Sequence, residues 1–292
     1  VKLLEVRNRR IRPGKDDKVL TSWNALAISS LARAGAILGA PRFLDAARRA
    51  ADFLLSTMRE EEGGLLHTYR AGVARQKGFL EDYAYLTNAL IDLFEAEGDA
   101  SRLQQAVELA DQMLARFEDP QSGGFYFTPS DGEVLIARQK DPQDQSTPSG
   151  NGMAATALLR LAAFTGSGTY LRSAERAIEH FAGVMQKHSL ATGQLLVALD
   201  WLLGPRSEWV LTLGSNEAEN WTALERFAKA FAPRTVRWVR RSREEPPAVL
   251  AKLAAGKSPQ EAPVLYQCEG FSCRAPAVGM AAIEERLRAG SA

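Results

Sequence analysis

Residues 23–58 read WNALAISSLARAGAILGAPRFLDAARRAADFLLSTM, and the same pattern of apolar and small residues returns at residues 82–117 and 150–185. Each copy contains a run of helical periodicity, a short turn with glycine and a second helical run, which predicts an αα-hairpin. The first helix of each copy is apolar on nearly all sides and the second is amphipathic, so we expect inner and outer helices respectively. Three consecutive hairpins predict a curved double layer, either an open solenoid or part of an (α/α) toroid.

One further helix, predicted at Gln194–Leu203, extends this helical segment over residues 1–205. From residue 206 to 292 the pattern changes, because short apolar runs now alternate with helical stretches. That alternation predicts a small α/β segment with a short, three-stranded parallel sheet. The predicted fold class is therefore mainly α, with a terminal α/β segment. Its expected strands are Trp209–Leu213, Thr235–Val239 and Val264–Gln267.

Composition and charge restrict the classes of partner. Hydrophobic residues make up 46% of the 292 residues, and 36 Lys and Arg against 35 Asp and Glu leave a formal net charge of +1. This balance provides no global field for nucleic acid or an anionic membrane. No stretch approaches the ~20 apolar residues of a membrane span, and residues 1–18 are too charged for a secretory signal. We therefore expect a soluble, cytoplasmic protein with neither nucleic acid nor membrane as a partner.

Two cysteines, Cys268 and Cys273, are separated by four residues. This spacing is neither a C-x-x-C redox motif nor half of a complete zinc set, since no second pair exists and the three histidines are remote in sequence. Reduced thiols are the expectation, with a disulfide or a metal role as the alternative. The intervening residues can turn back, so we expect the two sulfurs to be close enough to bridge.

Two long connections, residues 59–80 and 118–148, lack helical periodicity and are expected to be functional loops. Each contains Gly-Gly followed by apolar residues, which predicts a β-hairpin excursion. Because the short turns join inner helices to outer helices, the long loops must lead back to the N-termini of inner helices. All long loops and inner-helix N-termini should therefore share one face.

Carboxylates, cationic groups and aromatic rings gather on this loop-bearing face. Paired carboxylates supply an acid and a base for glycosidic chemistry, rings stack on sugars, and a histidine can shuttle protons. N-terminal helix capping is the competing explanation for several of these residues. The catalytic candidates are Asp82, Asp144 and His67. The substrate-binding candidates are Asp16, Asp17, Trp23, Asn24, Glu81, Tyr83, Tyr126, Arg138, Ser149 and Asn151.

We expect Asp82, Asp144 and Arg138 to lie in one shared pocket, because repeat geometry puts their segments on one rim. Since Asn caps a helix about as well as Asp, replacement of either aspartate by Asn should change stability by no more than about 1 kcal/mol. Carboxylates that are wholly occupied by capping bonds would favour a scaffold over an enzyme.

Five segments together resemble a known family. They are RIRPGKDDKVLTSWNALAI at residues 10–28, GFLEDYAYLTNALIDLFEA at 78–96, GGFYFT at 123–128, ARQKDPQDQSTPSGNGMAATALLRLA at 137–162 and CEGFSCRAPA at 268–277. They look like the C-terminal part of thioredoxin-domain-containing proteins of the spermatogenesis-associated type. The resemblance implies a thioredoxin-like domain before an (α/α)6 toroid similar to six-hairpin glycosidases and N-acylglucosamine 2-epimerases. This chain would then be about half of the toroid plus the α/β segment.

Three functions remain open at this point. The first is a carbohydrate-processing enzyme, glycosidase-like or sugar 2-epimerase-like, that needs no cofactor or metal and binds a small sugar ligand. The second is a non-catalytic scaffold that binds a ligand or client for the thioredoxin-like domain implied by the resemblance. The third is a structural helical array without pocket chemistry. In each case the rest of the toroid is expected as a partner.

Overall fold

The computed structural model describes residues 2–241, 245–270 and 272–289. Its first part is an array of three αα-hairpins and a fourth inner helix, as the repeats predict. In chain order the elements are α1 (Lys2–Asn8), β1 (Val19–Leu20), α2 (Thr21–Leu38), α3 (Pro41–Thr57), β2 (Leu66–Arg70), β3 (Val73–Lys77), α4 (Leu80–Glu97), α5 (Ala100–Phe117), α6 (Gly150–Thr165), α7 (Gly168–Lys187) and α8 (Gly193–Leu203).

Helices α2, α4, α6 and α8 form the inner layer, while α3, α5 and α7 form the outer layer. The predicted inner and outer roles are confirmed, since α4 is buried along most of its length and α5 buries one face. Each inner helix of a hairpin ends at a glycine with positive φ, at Gly39, Gly98 and Gly166. A left-handed C-cap of this kind needs glycine because a Cβ would clash with the backbone.

The two long loops differ in structure. The first contains the predicted β-hairpin, in which β2 pairs with β3 antiparallel and β1 adds a third strand. For the second loop that prediction is wrong: residues 118–148, all of them described, hold only an isolated bridge between Glu118 and Phe125. The Asp119 side chain accepts bonds from the backbone N–H groups of Gln121 and Ser122, which compete with a strand ladder for those groups.

The α/β segment is a mixed sheet with helices on both faces. Its elements are β4 (Ser207–Thr212), α9 (Glu217–Lys229), β5 (Thr235–Arg240), α10 (Ala251–Ala254), β6 (Val264–Glu269), β7 (Ser272–Cys273), β8 (Ala277–Val278) and α11 (Met280–Ala289). The sheet order is β5-β4-β6-β7, and β8 also pairs with β6. Helices α9 and α11 lie on one face of the sheet, and α10 lies on the face toward the array.

All three predicted strands exist, but an all-parallel sheet was the wrong prediction. Strand β4 runs parallel to β5 and antiparallel to β6. A parallel connection requires a crossover of a dozen or more residues that returns to the opposite edge, usually as a helix. The described residues between β5 and β6 contain only a short 3₁₀ turn and the four-residue α10. The chain therefore enters β6 at the same end of the sheet at which it leaves β5, and β6 runs in the opposite direction.

One face of this sheet packs on the helical array. Val210, Trp238 and Tyr266 belong to the core of the array, whereas the alternate residues pack under α9 and α11. Polar contacts reinforce the contact between array and sheet: the Glu95 carboxylate of α4 accepts a bond from the Arg237 backbone N–H at 3.1 Å. The sheet thus lies toward the C-terminal ends of the inner helices, away from the loop-bearing face.

Cys268 and Cys273 form a disulfide. Strands β6 and β7 pair these two residues directly, with 3.9 Å between their Cα atoms. The expected bridging distance is confirmed, and the expectation of reduced thiols is wrong, since the two sulfurs are bonded. The antiparallel register makes this bond possible because it pairs the two residues directly. No helix in the described part of the chain combines the length and apolarity that a membrane crossing requires.

Candidate functional site

Asp82 joins the N-termini of two inner helices. It is the third residue of α4, and its Oδ2 accepts a bond from the Phe79 backbone N–H at 2.9 Å. Its Oδ1 accepts a bond from the backbone N–H of Ser22, in the first turn of α2, also at 2.9 Å. The side chain is fully buried. Asp82 therefore neutralises unpaired N–H groups of its own helix and of the neighbouring one.

His67, on strand β2, contacts the same carboxylate. Its Nδ1 lies 2.9 Å from Asp82 Oδ2, and its ring meets the Phe79 ring edge-on. Burial by itself would lower the pKa of His67, but the hydrogen bond to Asp82 and the charges of Asp82 and Glu81 outweigh it and raise that pKa. A cationic His67 beside a buried Asp82 is thus favoured in the folded protein.

Asp144 repeats the arrangement between the other two inner helices. Its Oδ1 accepts a bond from the Ser149 N–H at the start of α6 (2.7 Å), and its Oδ2 accepts one from the Gln194 N–H at the start of α8 (2.9 Å). Ser149 is itself the N-cap of α6, as the sequence indicates. Both carboxylates are thus occupied by helix ends, which favours capping as the role of Asp82 and Asp144.

A cleft of about 380 Å³ opens between the N-termini of α4 and α6. Carboxylates, amides, hydroxyls and the ring of Phe127 surround it. Its lining residues are Leu80, Glu81, Phe127, Gln139, Asp141, Gln143, Gln145, Ser146, Thr147, Pro148, Ser149, Gly150 and Asn151. Three of the predicted site residues, Glu81, Ser149 and Asn151, therefore come together in one cleft.

Glu81 is the partly buried carboxyl group of this cleft. Burial and the neighbouring Asp82 carboxylate raise its pKa above the usual value, against the opposing effect of His67. The Ser22 hydroxyl donates a long bond of 3.4 Å to Glu81 Oε1. Unlike Asp82, Glu81 has no backbone N–H among its hydrogen-bond donors in the described residues. This carboxyl group is therefore available for chemistry in the cleft.

The shared pocket predicted for Asp82, Asp144 and Arg138 is not formed, because none of the three lines the cleft. The two aspartates point into helix junctions. Arg138 braces the second long loop: its guanidinium donates to the backbone oxygens of Thr128 and Arg116 and lies 4.2 Å from the centre of the Tyr126 ring. Helix-end N–H groups and loop carbonyls attract these charged groups more strongly than an open cleft does.

The aromatic candidates have different environments. Tyr83 is fully buried, and its hydroxyl oxygen accepts bonds from the Leu65 backbone N–H and from Arg116, so its ring belongs to the core. Tyr126 donates its hydroxyl proton to Asp119. Trp23 is 60% exposed at the start of α2 and is the accessible ring among the three.

The remaining amide and acid candidates hold local structure. Asn151 is buried, and its side chain bonds both backbone groups of Phe125. The amide of Asn24 donates to the Leu20 carbonyl. Asp17 pairs with Arg70 at 2.6 Å and Asp16 with Lys18 at 3.3 Å, and the side chains of all four residues are exposed. Neither aspartate lines the cleft.

Sequence reasoning missed Asp119, which organises the second long loop. Its Oδ2 accepts bonds from Lys140 Nζ at 2.8 Å and from the hydroxyls of Ser122 and Tyr126. The bonds from Lys140 and Ser122 hold its pKa far below the usual range. A signal was present, because Asp followed three residues later by Ser and then by Gly-Gly is typical of a side-chain-capped turn.

A metal site would need several ligands in one place. Across residues 2–241, 245–270 and 272–289, no group of three or more His, Cys, Asp or Glu side chains is arranged to hold a metal ion. The carboxylates of Asp82, Asp119 and Asp144 are instead occupied by backbone N–H groups and neighbouring side chains.

No protein-family model matches the chain. Human spermatogenesis-associated protein 20 is 30% identical over 290 residues, which cover 94% of this chain and 36% of that protein. The chain therefore spans about a third of the length of this relative.

Among solved structures, a cellobiose 2-epimerase from Spirochaeta thermophila has a TM-score of 0.46 and 20% identity, covering 56% of this chain and 43% of its own. A family 76 glycoside hydrolase (mannosidase) from Bacteroides thetaiotaomicron has a TM-score of 0.47 and 16% identity, covering 57% and 45%. Both likenesses concern the helical architecture alone. The sequence motifs and the curated relatives agree, and the chain is homologous over most of its length to spermatogenesis-associated protein 20.

Proposed function

We propose that the cleft between α4 and α6 binds a carbohydrate and that Glu81 exchanges a proton with it. The observation that carries this proposal is the position of Glu81, a partly buried carboxyl group in the cleft with a raised pKa. A general acid works best when its pKa approaches the working pH, and burial beside a second carboxylate is how proteins raise it.

The lining of the cleft suits hydroxyl-rich ligands. Gln139, Gln143 and Gln145 each carry an amide that can donate and accept at once, and Ser146 and Thr147 add hydroxyls. Phe127, stacked on Phe79 at 4.8 Å, exposes 37% of its surface and offers an apolar face for a sugar ring. The proposed reaction class is glycoside hydrolysis or epimerisation.

The groups behind Glu81 have supporting roles in this proposal. Protonated His67 contributes positive charge next to Glu81, while Asp82 holds both His67 and the two helix ends in place. Catalysis by Asp82, Asp144 or His67 themselves stays a prediction. In the longer protein, the remaining hairpins would supply the opposite wall of the cleft, and a thioredoxin-like domain would be a neighbour.

The test is a panel of mono- and oligosaccharides offered to the intact protein, with binding measured by calorimetry and conversion by chromatography. Glu81→Gln keeps the shape of the side chain, so binding should stay within a few-fold while turnover falls by about 100-fold or more. Glu62→Gln, an exposed carboxylate outside the cleft, is the matched control and should behave like wild type. Unchanged turnover in Glu81→Gln would remove Glu81 from the chemistry.

One observation favours a second function, a non-catalytic ligand-binding or client-binding scaffold. The two carboxylates with the strongest sequence claim to catalysis, Asp82 and Asp144, are occupied by helix N-termini. In that case a sugar or client would bind without conversion. Replacement of Gln143 or Gln145 by Ala would then weaken binding by about 10-fold, the equivalent of one hydrogen bond, and Glu81→Gln would leave it unaltered.

A further inference from the structure

The β6–β7 hairpin carries a disulfide with one buried and one exposed half. Cys268 is 5% exposed and, by strand alternation, lies on the same face of β6 as Tyr266, toward the helical array. Cys273, on the edge strand β7, is exposed. Cys273 is therefore the more accessible of the two residues to a nucleophile from solvent.

This disulfide closes a short loop that the strands already hold together. It closes a separation of only five residues, and the strand ladder already pairs Cys268 with Cys273 and Glu269 with Ser272. Stabilisation by a disulfide grows with the length of the loop that it closes, so this bridge restricts the unfolded chain less than one across a long loop would. Stabilisation of the fold is thus a weak reason for the presence of this disulfide.

The buried half lies next to an ionic group. Glu208 on β4 is directly opposite Cys268, a position at which side chains approach to about 5 Å. The Glu208 carboxylate contacts Lys252 Nζ at 3.1 Å and Lys257 Nζ at 3.9 Å. Lys257 is 5% exposed, and burial lowers its pKa. Two ammonium groups against one carboxylate give this cluster a net positive charge, which offsets the unfavourable effect of Glu208 on a neighbouring thiolate.

We propose that Cys268 and Cys273 form a thiol–disulfide exchange site for a dithiol substrate. A thiolate of the substrate attacks Cys273 Sγ, the Cys268–Cys273 bond breaks, and Cys268 leaves as a thiolate beside the Glu208, Lys252 and Lys257 group. The second substrate thiolate then attacks the mixed disulfide and releases Cys273. Two electrons and two protons pass from the substrate dithiol, which becomes a disulfide, to the two cysteines. This site is separate from the cleft and does not depend on its function.

The first test uses the folded wild-type chain. Dithiothreitol is added under native conditions, thiols are trapped with iodoacetamide at intervals, and labelled peptides are identified by mass spectrometry, while circular dichroism follows the fold. We expect reduction without unfolding. A disulfide that is reduced only after denaturation would overturn the proposal.

The second test compares the reactivity of the two sulfurs. Cys268→Ser leaves an exposed thiol and Cys273→Ser a buried one, so Cys268→Ser should form a mixed disulfide with glutathione disulfide at least about 10-fold faster. Equal rates, or a faster Cys273→Ser variant, would contradict the assigned order of attack.

A third test concerns the ionic group. Lys257→Met should slow reduction of the otherwise wild-type disulfide, whereas Lys229→Met, on α9, is the matched control. An unchanged rate in Lys257→Met would exclude a role for the ionic group.

Discussion

At two junctions between inner helices, an aspartate accepts hydrogen bonds from backbone N–H groups at helix N-termini, but the surroundings of the two aspartates differ. At the α2/α4 junction, Asp82 is fully buried, binds two backbone N–H groups and also contacts His67, with Glu81 beside it. At the α6/α8 junction, Asp144 is partly exposed, and in the described residues its side-chain oxygens accept bonds from backbone N–H groups alone.

This difference distinguishes the structural role of the two aspartates from the ionisable groups found at one junction. Both junctions neutralise unpaired N–H groups at helix N-termini, a need that every inner helix shares. The α2/α4 junction adds two ionisable groups whose pKa values are raised, those of His67 and Glu81. The repeat therefore explains the aspartates, while the added groups indicate where a function has been built on it.

Removal of each carboxylate is the strongest test of the difference between the two junctions. Asp82→Ala leaves two buried N–H groups and a histidine without a counter-charge, and should lower the free energy of unfolding by about 3–5 kcal/mol. Asp144→Ala, at the partly exposed junction, should lower it by about 1–3 kcal/mol. Chemical denaturation measures both values. Equal losses would mean that burial and His67 do not distinguish the junctions.

Replacement by Asn sharpens the same contrast. Both carboxylate oxygens of Asp82 accept hydrogen bonds, so an amide NH₂ group would face a donor in one of the two positions. Asp82→Asn should therefore cost about 1–3 kcal/mol, more than the 1 kcal/mol or less that capping preference alone suggests. A thermal unfolding curve that matches wild type would show that Asn rotates or repacks to satisfy all its partners.

The smallest expected effect is a dependence of stability on pH. The pKa of His67 is raised above 6.5 in the folded state, so its contribution is complete below pH 6.5 and is lost as the pH rises through the folded pKa. Glu81, whose pKa is also raised, acts in the same direction from pH 4.5 upward. In His67→Gln the decline in stability above pH 6.5 should be weaker than in wild type. Parallel pH profiles for the two proteins would refute a charged His67–Asp82 pair.

The sequence motifs and repeats led to the array, its inner and outer layers, the common face of the long loops and three residues of the cleft. These predictions were possible because helical periodicity and glycine C-caps are local signals that recur in each repeat. The selection of Asp82 and Asp144 as catalytic acids rested on residue type. In the structure both are occupied by helix ends, and the division of the chain near residue 205 stays a prediction.

Sequence alone thus determined the helices of the array, the three main strands of the α/β segment and the end of the array at which polar loops gather, because all of them follow from periodicity along the chain. Tertiary structure alone decided which acid opens into the cleft, since Glu81 and Asp82 are adjacent residues whose burial and partners depend on the neighbouring helix α2. It also decided the antiparallel direction of β6 and the pairing of Cys268 with Cys273. Strand direction and cross-strand register are set by contacts between distant segments, which no local pattern encodes.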